Sequence, residues 1–140
     1  MEERMKYFTV EEANSLLPAL DRDIRELQRI KREFAEKFAR LRALRQANSA
    51  ASADGDPFFE LECELEFLQL EARTYIRSIG LKGAQLKDID MGLVDFPARL
   101  NGRDVLLCWK QGEPRVMHYH GWDEGYAGRK PLEPPPGDGE

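Results

Sequence analysis

The hydrophobic pattern is richest between residues 57 and 79, PFFELECELEFLQLEARTYIRSI. Leu61, Leu65, Leu68, Ala72, Tyr75 and Ile79 step by four and three in alternation, which is a heptad seam. At ~100° per residue, Phe59, Cys63, Phe67 and Leu70 fall on roughly the opposite side. Glutamates 60, 62, 64 and 66, with Gln69, Glu71 and Arg73, fill the flanks. One packed face needs one stripe, so two stripes predict a helix held between two layers. One layer is the N-terminal helix; the other is a C-terminal sheet or a second subunit. Asp56 and Pro57 suit the N-cap and first helical position. Gly80 suits a left-handed stop, with Leu81 folding back as its hydrophobic partner.

Upstream, Thr9-Val10-Glu11-Glu12 has the spacing of a capping box. Pro18 disfavours helix at Leu17 and removes a helical bond, so a short helix over residues 10–16 is expected, followed by a kink or restart. From Pro18 to about residue 46, Leu17, Leu20, Ile24, Leu27, Phe34, Phe38 and Leu41 follow a heptad. Residues 47–56 are small and polar and predict a flexible loop. Folding across it sets Leu41 near Leu61 and Leu27 near Tyr75. It also places the basic run at residues 29–45 against Glu60, Glu62, Glu64 and Glu66.

After Gly92 the period changes to two. Residues 93–100, 104–110 and 115–120 predict three strands, with residues 81–91 irregular before them. Asn101-Gly102 is a strong type I′ hairpin signal, and Gly112-Glu113 suits a second two-residue turn. Pro97 asks for an edge strand. This register puts Asp95 opposite Cys108. It puts His118 and His120 on the other face, with Val94, Phe96, Ala98, Val105, Leu107, Trp109 and Val116, and that face is expected to pack on the helices. A slip of one residue in either turn would exchange the sets.

The fold class is therefore α+β: a long antiparallel helical hairpin packed with a small three-stranded antiparallel β-meander. A length of 140 residues suits a single domain over 1–132, with the hairpin at 10–80 and the meander and loop at 92–132. The proline-rich, acidic residues 133–140 suit a disordered tail. Apolar content of 41% and charged content of 34% fit a globule of the soluble kind. The net charge of −5 argues against nucleic acid or an anionic membrane as main partner. No run approaches the ~18 apolar residues of a membrane span, and no signal peptide is evident. Cys63 and Cys108 lie in apolar runs without CxxC spacing, which predicts buried free thiols and a reducing, cytoplasmic setting.

The phrases YFTVEEANSLLPAL, GLVDFPARLNGRDVLLCWKQGEP and HGWDEGYAGRKPL resemble the bacterial family catalogued as domain of unknown function 2203, over about residues 7–132. The resemblance implies a small bacterial cytoplasmic protein. It brings no activity, ligand or catalytic residue. Members often read tryptophan-histidine near the end of the third strand, where this chain has Met117-His118-Tyr119-His120.

No Ser-His-Asp pattern, GxSxG or phosphate-cradling loop is present. His118 and His120, two apart on a strand, point the same way and can hold a metal, with Asp123 as third ligand. Glu124 or Glu113 could stand in its place. The alternative is a pair of histidines that hydrogen-bond locally. Asp95 beside Cys108 raises the thiol pKa instead of activating it. The loop at residues 121–129 is the better binding candidate, with Trp122, Tyr126 and Arg129, and Glu113 within reach. The plainer reading has the aromatics covering the sheet end and Arg129 paired with Glu113 or Asp95. No cofactor is required, and a divalent metal is the one the sequence can accommodate. The leading expectation is a non-catalytic interaction or scaffold domain that self-associates as a homodimer. The second is a small metal-dependent hydrolase using His118 and His120. Nucleic-acid binding through residues 29–45 would be steeply salt-dependent.

Overall fold

The structure is a computed structural model that describes residues 6–47 and 57–132. The expected loop over most of residues 47–56 and the tail at 133–140 lie outside the described residues. Two helices come first, α1 (Val10–Ala47) and α2 (Pro57–Leu81). A five-stranded antiparallel sheet follows in the order β1 (Gln85–Asp88), β2 (Leu93–Leu100), β3 (Arg103–Lys110), β4 (His118–His120) and β5 (Lys130–Pro131). The fold class is thus α+β, with two strands more than the meander expected. The chain clusters into two compact units, Asp23–Ser78 and Met1–Arg22 with Ile79–Glu140.

The Asp23–Ser78 unit is the helical hairpin. Leu41, Leu61 and Leu65 are buried together, with Phe34, Leu44 and Phe58 packed against them. Charge fixes the same register: Arg45 pairs with Glu62 at 2.5 Å, Lys37 with Glu64 at 3.0 Å and Arg29 with Glu71 at 2.8 Å. Three basic residues of the 29–45 run thus have acidic partners across the hairpin. The second apolar stripe of α2 behaves otherwise. Phe59, Phe67 and Leu70 are 62%, 66% and 58% exposed, and Cys63 is exposed too. Among the described residues nothing covers this stripe, so the expectation of a helix enclosed on both sides within one chain, and of two buried thiols, is corrected.

In the other unit, Thr9 and Glu12 form the reciprocal cap, each backbone N–H reaching the other's side chain at 2.9 and 3.0 Å. The helix it opens does not break at Pro18, which lies inside α1. Ala13, Leu17 and Leu20, all buried, hold one face of the helix through the proline, and that packing outweighs one missing backbone bond. Nor does α2 stop at Gly80. It runs to Leu81, which is 76% exposed, and the left-handed residue is Gly83, φ 90°.

The β2–β3 ladder has the expected register, from Leu93 opposite Lys110 to Leu100 opposite Arg103. Asn101 and Gly102 turn it with φ of 53° and 79°, as a type I′ turn requires. Pro97 sits in a strand with neighbours on both sides, yet loses no ladder bond. β1 pairs β2 only as far as Asp95, and at Pro97 the outward carbonyl accepts from the Phe8 N–H at 2.7 Å. Gly92 (φ 67°) is required by close approach, because a Cβ there would lie 2.4 Å from Gln111 Cβ. Both sheet faces are buried: Val94, Phe96, Leu107 and Trp109 on one, Leu93, Asp95, Leu106 and Cys108 on the other. Within this unit the Asn14 side-chain oxygen accepts from the Val116 N–H, and Asp21 accepts from Gln111.

The second turn departs from expectation. Lys110 O accepts from Glu113 N, so Gln111 and Gly112 are its central residues, one position upstream of the expected pair. The Glu113 carboxylate also accepts from Lys110 N, and its carbonyl accepts from Trp109 Nε1. These bonds hold Glu113 at the turn, the chain loops out, and pairing resumes only at His118. Cys108 then faces His118 and Leu106 faces His120, a slip of one residue. Side chains alternate along a strand, so the slip moves both histidines to the Asp95–Cys108 face and puts Tyr119 on the apolar one.

Candidate functional site

Three strands deliver a compact polar cluster into the sheet interior. Asp95 on β2 stands opposite Cys108 on β3, and His120 on β4 reaches them diagonally from the position opposite Leu106. All three are buried, Asp95 to 2%, Cys108 to 1% and His120 to 3% exposure. His120 Nε2 lies 3.1 Å from Asp95 Oδ2, and His120 Nδ1 lies 2.8 Å from the Gly121 carbonyl. A carbonyl only accepts, so Nδ1 carries a hydrogen. The Nε2–Oδ2 contact then holds one further proton, shared by imidazole and carboxyl. The Cys108 sulfur stands beside the same carboxyl, the three donor atoms all lying within 4.8 Å of one another. Burial raises the Asp95 pKa, against the attraction of His120. Burial, with the adjacent Asp95 charge, pushes the Cys108 thiol up to about 11. Cys108 is therefore a thiol at neutral pH and no activated nucleophile.

Arg129 closes the cluster from the 121–132 segment. Its Nη1 lies 3.8 Å from Cys108 Sγ, its Nη2 donates to Glu113 at 2.6 Å, and Tyr126 offers its ring face 4.4 Å from the guanidinium carbon. Burial alone would raise the Glu113 pKa, but the bonds from Arg129 and the Lys110 N–H outweigh it and the net shift is downward. Burial likewise works against the Arg129 cation, and Glu113 reverses it, leaving the guanidinium above its ordinary value. His118 stands beside Glu113, with Nδ1 3.8 Å from the carboxylate and without a hydrogen-bond partner among the described residues.

The expected binding set divides. Glu113 and Arg129 satisfy each other, at 16% and 14% exposure of their side chains, with Tyr126 stacked on the cation. Trp122 instead lines an open groove of about 1690 Å³ with Asp123, His118, Arg103, Arg115 and Lys130. The expected metal set divides too. Among the described residues, the trio of metal-ligating side chains whose donor atoms lie within 4.8 Å of one another is Asp95, Cys108 and His120. His118 and Asp123 face the groove, which His120 does not line. Asp95 and Cys108 had been expected on the opposite face from the histidines, and the slip in the second turn is what joins them. One signal pointed that way: moving the pairing by one gives the apolar face Tyr119 in place of two histidines.

Among the described residues no helix is long and apolar enough to cross a membrane. A family model described as "Uncharacterized conserved protein (DUF2203)" matches residues 6–132. No curated protein and no solved structure matches the chain.

Proposed function

This chain belongs to the DUF2203 family, and we propose that it is a non-catalytic interaction domain that self-associates through the outer stripe of α2. The observation that supports this reading is the exposure of Phe59, Phe67 and Leu70 along one helix face, with Cys63 between them. Contiguous apolar surface of this kind on a polar helix commonly marks a binding face. The spacing of four, four and three suits a partner helix.

A second copy fits the charge pattern. The first half of α2 carries Glu60 and Glu66 besides Glu62 and Glu64, which pair with Arg45 and Lys37; the second half carries Arg73 and Arg77 besides Glu71, which pairs with Arg29. Two copies laid antiparallel about a two-fold axis near residues 68–69 place Phe67 against Leu70 and set each acidic half beside a basic one. A parallel pair would set glutamate against glutamate. A two-fold contact of this sort is self-complementary and closes at two subunits.

Light scattering at micromolar concentration tests it. The mass of a dimer is expected for the unaltered chain, and that of a monomer with unchanged helix content for Phe67→Glu. A monomeric unaltered chain overturns the proposal. Oxidation of Thr74→Cys tests the direction: antiparallel pairing joins the new thiol to Cys63 of the other copy, whereas parallel pairing joins Cys63 to Cys63.

A further inference from the structure

We infer that Asp95, Cys108 and His120 form a buried site for a divalent transition-metal ion of the zinc class, bound through a carboxylate oxygen, Sγ and Nε2. The inference stands apart from self-association, since it concerns the sheet and not the outer stripe of α2.

Geometry carries it first. The three donor atoms already lie within 4.8 Å of one another. A tetrahedral ion with bonds of about 2.0–2.3 Å sets its ligands roughly 3–4 Å apart. The Nε2–Oδ2 separation of 3.1 Å is close to that range, and small side-chain rotations bring the sulfur in. The imidazole is also oriented as a ligand. Its Nδ1–H is held by the Gly121 carbonyl, which is the outer-shell arrangement that fixes a metal-bound histidine and leaves Nε2 to the ion.

Charge balance points to a divalent ion. Without metal the cluster holds a thiol proton and the proton between Asp95 and His120, and its net charge is zero. Binding an M²⁺ ion forms the S–M, N–M and O–M bonds and releases those two protons to solvent. The trio is then thiolate, neutral imidazole and carboxylate, whose two negative charges the ion cancels. No net charge is buried in either state, which avoids the main cost of placing an ion in a protein interior. Arg129 does not upset the balance, because Glu113 neutralises it. One sulfur, one nitrogen and one oxygen suit zinc and its neighbours, whereas calcium and magnesium take oxygen ligands.

The site's depth sets the ion apart from the groove, and three protein ligands leave its fourth position open. His120 is buried to 3% and is not among the residues lining the groove, so the ion would bridge β2, β3 and β4 away from that opening. This separates it from a hydrolase centre on His118 and His120.

The test uses the full untagged chain, stripped with chelator and reloaded with Zn²⁺ or Co²⁺. One ion per chain is expected by elemental analysis, with two protons released per ion in weakly buffered solution and a higher unfolding temperature on loading. The cobalt form should show a thiolate-to-metal charge-transfer band. Cys108→Ala, which leaves the Asp95–His120 contact in place, should lose the band and the stoichiometric ion. His118→Ala should keep both. Failure of the unaltered chain to take up one ion, retention of the ion by Cys108→Ala, or a cobalt spectrum without the sulfur band overturns the inference. Should Cys108→Ala not fold, the cobalt spectrum of the unaltered chain decides alone.

Discussion

The two units break the rule of apolar inside and polar outside in opposite ways. In the hairpin, charged side chains meet at the surface and large apolar side chains share it: Phe67 is 66% exposed while Lys37 and Glu64 pair beside water. In the sheet, an aspartate and a histidine sit in the interior, each at about 3% side-chain exposure. Exposed apolar surface costs little in a monomer and is relieved by a partner. Buried polar groups are tolerated only when each finds a hydrogen-bond partner. The hairpin is therefore unfinished as a surface. In the polar core of the sheet Asp95 and His120 find partners in each other and in the Gly121 carbonyl.

That contrast can be broken experimentally. The largest effect is expected from Asp95→Ala, which leaves His120 Nε2 buried without its partner. A loss of about 3–5 kcal/mol is expected in urea unfolding of metal-free protein. A loss near that of a surface substitution would mean the cluster is not held by this contact.

Glu113→Gln comes next. A charge-assisted pair of this burial contributes about 1.5–3 kcal/mol. The Glu113 pKa is depressed in the folded chain, so its contribution is present above the ordinary carboxylate pKa of about 4.3. It is lost as pH falls through the lower folded value. Unfolding measured from neutral to acid pH should show the Gln variant less stable at pH 7 and flatter on the acid limb. Equal acid limbs would contradict the depressed value.

The smallest effect is expected from Lys37→Ala in the hairpin. Its pair with Glu64 is solvent-facing, so a loss of about 0.2–1 kcal/mol is expected, shrinking further in high salt. A larger loss would show the hairpin to be held by charge more than by Leu41, Leu61 and Leu65.

Local features were legible where the physics was local. The Thr9–Glu12 cap, the Asn101–Gly102 turn, the β2–β3 register and the pairing of the two helices each depend on neighbouring residues or on repeated spacing. Pro18 misled because its cost is local while the burial of Ala13, Leu17 and Leu20 is not. β1 and β5 were missed because strands of four and two residues carry almost no periodicity of their own. The polar cluster was half visible, Asp95 being read correctly against Cys108. The spacing expected of the second turn puts the cluster's histidine on the opposite face, one residue out of the observed register.

By itself, then, the sequence determined the class of fold, the two stripes of α2 and the hairpin partners, since periodicity and turn chemistry are written residue by residue. Tertiary structure alone decided which stripe is buried and where His120 points. Both depend on what stands opposite: Leu41 against Leu61 in the hairpin, and Glu113 holding back the turn before β4. A period of two converts a single unpaired residue into a change of face, and no local preference records that residue.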